Sequence, residues 1–160
     1  MSFVDGGPAR QTTIRELSDM RTVLHIEAPV ETVFGFFKDP SKAEGLIAPM
    51  EIRDLKMTEQ GTGTYTDYRT KFGGIPFNAF SVYTDVVPNK HITEKSSSAL
   101  VGTWEYDFEP EGKGTRLTME HHSRSFWNLP PLRNIGDVVA TRMNEKYMRR
   151  VADRIEGSAG

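Results

Sequence analysis

Glu94 and His121 are the two residues whose types and positions most favour chemistry. Strand alternation places Glu94 on the face of the apolar Ile92. It likewise places His121 on the face of the apolar Leu117. A carboxylate is costly to bury unless it is paired, and an imidazole titrates near neutral pH. Because an acid and a base in one cavity can move protons on a bound molecule, both are candidate catalytic residues.

A structural role for the same two side chains fits the pattern as well. Glu94 can lie at the end of a strand with its carboxylate in water. His121 can be a core histidine that is hydrogen-bonded to a tyrosine. Both alternatives stay open, and the structural or ligand-orienting role is favoured because no obligatory catalytic constellation stands out in the sequence.

Aromatic and apolar side chains are predicted to surround this pair on the concave side of a sheet. Such a lining suits a flat or extended apolar ligand, and two tyrosines could orient its carbonyl or hydroxyl group. In the strand predicted at 77–87, alternation favours the even-numbered positions 78, 80, 82, 84 and 86 as inward. The predicted ligand-binding residues are Tyr68, Phe72, Phe80, Trp104, Tyr106, Phe108, Leu117, Met119, Met143 and Tyr147.

The remaining histidines do not favour a metal site. His121 and His122 are adjacent in a strand, so they point to opposite faces and cannot chelate one ion. His25 and His91 fall on the outer faces of their strands as surface residues. The chain has no cysteine, which excludes disulfides, thiolate zinc sites and cysteine nucleophiles. We therefore expect no metal and no cofactor.

The elements that must position these residues follow an order of strand, two helices, six strands and a long helix. Pro29 precedes a helix with an apolar stripe, and Asp39 caps a second, short one. Apolar residues recur every three or four positions from Leu132 to Ile155, which predicts one long helix ending at Gly157. The predicted strands are 22–28, 50–57, 64–72, 77–87, 91–97, 103–109 and 115–126. This order predicts an α+β fold in which an antiparallel curved sheet wraps around the last helix.

Length and composition limit the class of protein. The 160 residues fit one domain, predicted at 21–157 after an extension at 1–20. The net charge of −2 offers no basic field for nucleic acid. No apolar run is long enough to span a membrane, and the first ten residues do not form a secretory signal. We therefore expect a soluble cytoplasmic protein, either a monomer or a homodimer.

Several segments resemble a known superfamily. The stretch Ile26 to Phe34, IEAPVETVF, followed by Asp39-Pro40, is similar to the opening of the START-like superfamily often called SRPBCC. That group includes polyketide cyclases and dehydrases, pollen-allergen relatives and coenzyme Q-binding proteins. The resemblance implies a helix-grip fold around a deep, mainly apolar cavity, without implying one reaction. Further matching segments are Gly63-Thr64, Gly73 to Pro76, Thr84 to Pro88, Gly102 to Trp104 and Gly114 to Thr118.

Three functions from different classes compete. The first is binding of a small lipid-like, isoprenoid or aromatic polyketide-like ligand in an internal cavity. The second is a cofactor-free polyketide cyclase, aromatase or dehydratase, acting as a lyase or isomerase with the acid–base pair Glu94 and His121. The third is a protein-interaction module, which the sequence disfavours because it lacks an exposed apolar stripe. Binding leads, with a small hydrophobic molecule as the expected partner.

Overall fold

The computed structural model of the chain describes residues 18–46, 50–72, 75–97, 102–123 and 132–158. These residues follow the predicted order of strand, two helices, six strands and a long helix. The elements are β1 (Ser18–Ile26), α1 (Val30–Lys38), a 3-10 helix (Pro40–Ala43), β2 (Glu51–Lys56), β3 (Tyr65–Phe72), β4 (Ile75–Val87), β5 (His91–Ser97), β6 (Gly102–Glu111), β7 (Gly114–Ser123) and α2 (Leu132–Ser158).

The strands form one antiparallel sheet in the order β1-β7-β6-β5-β4-β3-β2. The chain enters at one edge with β1, passes through the two short helices, and returns at the opposite edge with β2. Successive hairpins then lead back to β7, which pairs with β1. The strand β1 begins at Ser18, four residues before the predicted Thr22, because Ser18 already pairs with Ser123.

The two short helices form where the capping residues predicted them. The side chain of Asp39 accepts hydrogen bonds from the backbone N–H of Ser41 at 3.0 Å and from its hydroxyl at 2.6 Å. Pro40 occupies the first position of the 3-10 helix, where its missing N–H costs nothing. The buried residues of α1 are Val33, Phe34, Phe36 and Phe37.

The long helix α2 packs its apolar stripe against the sheet, as the periodicity predicted for Val151 and Ile155. It ends one residue beyond the predicted Gly157. The amide of Asn144 donates to the hydroxyl of Thr22 at 2.9 Å, which ties α2 to β1. None of the helices in the described ranges is both long enough and apolar enough to cross a lipid bilayer.

The strand β4 contains a bulge that overturns part of the face prediction. Its pairing with β5 shifts register between Tyr83 and Asp85, so Thr84 is an extra residue. Beyond the bulge Val86 faces inward, as predicted, and pairs with Ile92. Before the bulge the inward positions are the odd-numbered ones, Ala79, Ser81 and Tyr83, all of them buried.

Phe80 is therefore wrongly assigned as a cavity residue. Its side chain lies on the outer face with 45% of its surface exposed, and its ring lies 6.0 Å from that of Tyr65. The prediction for positions 78, 82 and 84 fails for the same reason. Strict alternation from Val86 predicts one set of inward positions for the whole strand. One extra residue reverses the face of every residue before it.

Candidate functional site

Four side chains form a row across the inner face of the sheet, one on each of the strands β4 to β7. Tyr83 pairs with Glu94, Glu94 pairs with Trp104, and Trp104 pairs with His121. We call these four residues the Glu94 row. Paired residues of adjacent strands share a face, so Glu94 and His121 lie on the same side, as predicted. They are two strand spacings apart, roughly 10 Å between backbones, with Trp104 between them.

The carboxyl group of Glu94 is held among hydroxyl groups. The phenol of Tyr106 donates to Glu94 Oε2 at 3.3 Å, and the hydroxyl of Ser81 donates to the same carboxyl. Glu94 keeps partial solvent access, but protein atoms enclose its carboxyl group. Burial raises the pKa of Glu94 above its ordinary value, and the two hydrogen bonds offset only part of that rise. Glu94 is thus a carboxyl group that takes up a proton more readily than one in water.

Tyrosine hydroxyl groups surround Glu94 in their protonated form. Burial, followed by the charge of Glu94, raises the pKa of Tyr68 to about 12 and raises the pKa values of Tyr83, Tyr106 and Tyr147 further. The hydroxyl of Tyr83 donates a hydrogen bond to the backbone carbonyl of Phe37 at 2.7 Å, which joins the sheet to α1. The other three phenols are hydrogen-bond donors on the inner side of the sheet.

His121 is stacked against the indole of Trp104. The two ring centroids are 3.8 Å apart, with 22° between the ring planes. A Cβ atom at Gly102 would lie 2.5 Å from His121 Nε2, so the glycine provides the space that the imidazole occupies. Burial, and then the neighbouring His122, lowers the pKa of His121 to about 4. At neutral pH His121 is therefore uncharged, with one ring nitrogen as donor and the other as acceptor.

The predicted lining residues fall into distinct groups. Tyr68, Trp104 and Tyr147 are half-buried on the inner side. Phe108, Leu117 and Met119 lie on the predicted face, but only 2%, 0% and 1% of their surfaces are exposed, so they belong to the sealed core. Tyr106 is also buried, and its ring contacts that of Phe37 at 5.2 Å. The side chains of Phe72 and Met143 lie outside the described residues.

A row of small residues lies beside the Glu94 row, and the sequence predicts only part of it. Its members pair in sequence across β3 to β7, and alternation predicts two of them, Ser96 and Ser123, as inward. Ser81 was missed because of the bulge in β4. Small side chains project little from a sheet, so this row lies lower than the aromatic side chains next to it. The row consists of Thr66, Ser81, Ser96, Gly102 and Ser123.

The site combines a carboxyl group, a neutral imidazole and phenols around half-buried aromatic rings. Such groups can hydrogen-bond a carbonyl or hydroxyl oxygen of a molecule whose remaining surface is apolar. The pKa of Glu94 is shifted towards neutral pH and the pKa of His121 is shifted away from it. Glu94 is therefore the better proton-transfer group of the two.

Solved structures with this fold include proteins of several kinds. The chain is similar to protein NE0264 from Nitrosomonas europaea, with a TM-score of 0.68 and 15% identity over 90% of this chain and 97% of that one. It is similar to the aromatase/cyclase Zhui from Streptomyces sp. R1128, with a TM-score of 0.67 and 16% identity over 87% and 93% of the chains. The di-domain aromatase/cyclase StfQ from the steffimycin biosynthetic pathway has a TM-score of 0.70 and 20% identity, over 91% of this chain and 53% of that one.

These identities are low, so the likeness shows a common fold and carries no reaction or ligand with it. A search of curated proteins finds no significant match to the sequence. The family described as polyketide cyclase/dehydrase and lipid transport matches residues 19–159, from the start of the sheet to the end of α2. The match agrees with the resemblance of the segments IEAPVETVF and Asp39-Pro40, and with the curved sheet around a long helix. The chain therefore belongs to the polyketide cyclase/dehydrase and lipid-transport family, an SRPBCC-type family with the helix-grip fold.

Proposed function

We propose that this protein binds a small hydrophobic ligand, lipid-like, isoprenoid or aromatic polyketide-like, between the concave face of the sheet and α2. The observation that carries the proposal is the Glu94 row, in which hydrogen-bonding groups lie among aromatic rings on the inner side. We also propose that the protein acts in the cytoplasm, which the lack of cysteine favours.

Partial exposure of three inner-face side chains of the Glu94 row supports a cavity there, although the fourth, Tyr83, is buried. The neighbouring cross-strand row is sealed, with Ile92 and Met119 almost without exposed surface. In the Glu94 row, by contrast, Glu94, Trp104 and His121 are only half-buried. Inner-face side chains that keep accessible surface can contact a molecule that enters from that end.

The groups at the row favour a ligand with at least one oxygen acceptor. A protonated Glu94 and the phenols of Tyr68 and Tyr147 can donate to a carbonyl or hydroxyl oxygen. The indole of Trp104 offers a flat apolar surface beside them. The expected ligand is therefore mainly apolar, with a polar atom that Glu94 and its tyrosines orient.

A matched pair of aromatic substitutions tests binding. The full chain is titrated with Nile red, an uncharged apolar dye, and native mass spectrometry of protein from its source identifies a co-purified ligand. Trp104→Ala, on the inner face, is expected to weaken dye binding by about tenfold or more. Phe80→Ala, an aromatic truncation on the outer face, is expected to leave it unchanged. Equal effects of the two variants, or no binding by the wild type, would contradict the proposal.

A cofactor-free cyclase or dehydratase is the second candidate. The observation that favours it is that Glu94 and His121, with pKa values shifted in opposite directions, lie on one face. Glu94 as carboxylate would accept a proton from the carbon beside a ketone of the substrate. His121 as neutral imidazole would donate a hydrogen bond to the enolate oxygen that forms.

The two candidates are separated by variants of the same residues. If the protein is an enzyme, Glu94→Gln and His121→Ala lower turnover of a poly-ketone substrate by about 100-fold or more and leave affinity nearly intact. If it is a carrier, both variants weaken ligand binding and the wild type shows no turnover. Size-exclusion chromatography of the same samples tests the expectation of a monomer or homodimer.

A further inference from the structure

The outer face of the sheet brings His122, Glu105 and Glu120 together, on the side opposite the Glu94 row. His122 and Glu120 are two residues apart in β7 and so share a face, and Glu105 in β6 pairs directly with Glu120. One donor atom from each of the three lies within 4.8 Å of the others. The cluster therefore offers one imidazole nitrogen and two carboxylate oxygens at a single point.

The pairing of Glu105 with Glu120 is unfavourable without a cation. Like charges directly opposite one another on adjacent strands destabilise a sheet. Arg21 of β1 contacts Glu120 from the other side, with its Nε 3.2 Å from Oε1, and offsets one of the two negative charges. The other oxygen of Glu120, Oε2, is the one turned towards His122. A protonated His122 can offset the second negative charge, and a metal ion bound to the neutral imidazole can do the same.

The distances at His122 are those of an ion pair and are also close to those of a metal site. His122 Nε2 lies 3.6 Å from Glu105 Oε2 and 3.9 Å from Glu120 Oε2. A hydrogen bond between such atoms would be about 2.7–3.2 Å long. Ligand atoms bound to a tetrahedral zinc ion at about 2.0–2.1 Å are roughly 3.4 Å from one another. Both carboxylates thus face the same nitrogen at nearly the spacing that a shared ion requires.

His25 also lies between two carboxylates, but these do not converge on one ring nitrogen. His25 Nδ1 lies 2.7 Å from Glu111 Oε2, and His25 Nε2 lies 3.0 Å from Glu27 Oε1. Each ring nitrogen of His25 is hydrogen-bonded to its own carboxylate, so the two carboxylates lie at different sides of the ring and share no common point. The composition of the two clusters is the same, and only the cluster at His122 converges.

We propose that Glu105, Glu120 and His122 bind one divalent transition-metal ion, for which Zn²⁺ is the best match, with water completing the coordination. Imidazole and carboxylate ligands in a small tetrahedral set suit Zn²⁺. Side-chain exposures of 37%, 33% and 31% leave the site open to an ion from solvent. The bound ion neutralises the opposed carboxylates and links β6 to β7. The expectation of no metal rests on the positions of the histidines and on the lack of cysteine. His121 and His122 do point to opposite faces, but Glu120 of β7 and Glu105 of β6 add carboxylate ligands beside His122.

Metal binding by the untagged full chain tests the proposal. Protein freed of metal with a chelator is titrated with Co²⁺, whose visible absorption reports tetrahedral coordination, and then with Zn²⁺ in competition. We expect one ion per chain at pH 7. His122→Ala and Glu105→Gln are expected to weaken binding more than about tenfold, and His25→Ala is the matched control that leaves it unchanged.

Thermal melts provide the second readout. An ion that binds only the folded chain raises the Tm, so Zn²⁺ should stabilise the wild type and His25→Ala but not His122→Ala. Because Glu105→Gln preserves size and shape, it remains informative if His122→Ala fails to fold. Lack of one equivalent of binding in the wild type would overturn the proposal. So would binding that survives in Glu105→Gln or that disappears in His25→Ala.

Discussion

The environment of Glu94 shows how a single side chain can depend on three strands. Its carboxyl group is on β5, while the hydroxyls that donate to it come from Ser81 of β4 and Tyr106 of β6. Burial outweighs those hydrogen bonds and raises the pKa of Glu94. His121 on the next strand but one shows the opposite effect, because burial disfavours its charged form. Both groups are therefore held nearer to their neutral states than they would be in water.

The raised pKa of Glu94 predicts a pH-dependent cost to folding. The protonated carboxyl of Glu94 contributes its full stability to the fold below the unfolded pKa, near 4.5. This contribution is lost as the pH rises through the higher folded pKa. Glu94→Gln should therefore gain stability relative to the wild type as the pH rises, with no gain at acid pH. Urea melts between pH 4 and pH 8 measure this, with Glu145→Gln on the exposed side of α2 as control. A difference that is independent of pH would contradict the prediction.

Gly102 predicts the position and the titration of His121. A methyl group at this position would lie 2.5 Å from His121 Nε2 and displace the imidazole from Trp104. In Gly102→Ala we expect the pKa of His121 to rise from about 4 towards its ordinary value of 6.5, because the ring becomes more exposed. NMR titration of the imidazole C–H signals of the variant and of the wild type measures the change. An unchanged His121 titration would show that the glycine does not position the ring.

At the level of elements, α1 and α2 cover the buried part of the inner face of the sheet. The side chains of Phe34 and Phe37 on α1 contact Phe108 of β6 at centroid distances of 5.5 and 5.7 Å. The helix α2 contributes Met148, Val151 and Ile155 to the same core, and each has no more than 1% of its surface exposed. The two helices therefore bury one part of the inner face, while Glu94, Trp104 and His121 stay half-buried.

The packed face of α2 predicts the effect of a buried charge. Val151 is fully buried in the core, so Val151→Asp places an unpaired carboxylate there. We expect a loss of about 3–5 kcal/mol in the free energy of unfolding, enough to unfold a marginally stable domain. Lys146→Asp, at an exposed position of the same helix, should cost less than about 0.5 kcal/mol. Urea melts compare the two variants, and a loss below about 1 kcal/mol for Val151→Asp would contradict the assigned face.

Across the whole molecule, the sheet joins the first strand in the sequence to the last one. The first strand β1 pairs along its whole length with the last strand β7, and Ile26 of β1 is fully buried. The two faces of the sheet carry separate groups, with the Glu94 row on the inner side and the His122 cluster on the outer side. Binding at one face and metal at the other can therefore be tested independently.

The pairing of β1 with β7 predicts where the chain can be shortened. Removal of residues 1–17 leaves β1 whole, so the Tm should change by no more than a few degrees. Removal of residues 1–26 also deletes β1 and the buried Ile26, and we expect that chain not to fold. Thermal melts followed by circular dichroism compare the two. Folding of the shorter chain would show that β1 is dispensable.

Local spacing in the sequence predicts the order of elements and the faces of most strands. Alternation placed Ile92, Glu94 and Ser96 of β5 on one side, and the structure has them there. Pro29 at the start of α1, the cap Asp39 and the periodicity of α2 predicted the helices. These features depend on neighbours only a few residues away, and so they can be read from local spacing.

Only the tertiary structure decided the contacts that depend on cross-strand register. One extra residue in β4 moved Phe80 to the outer face and brought Ser81 to Glu94. Packing of α1 and α2 buries Leu117 fully and leaves Trp104 half-buried, although alternation predicts the same inward face for both. Register between strands is set by pairing, bulges and packing of distant segments. These features cannot be predicted from the spacing of residues along one strand.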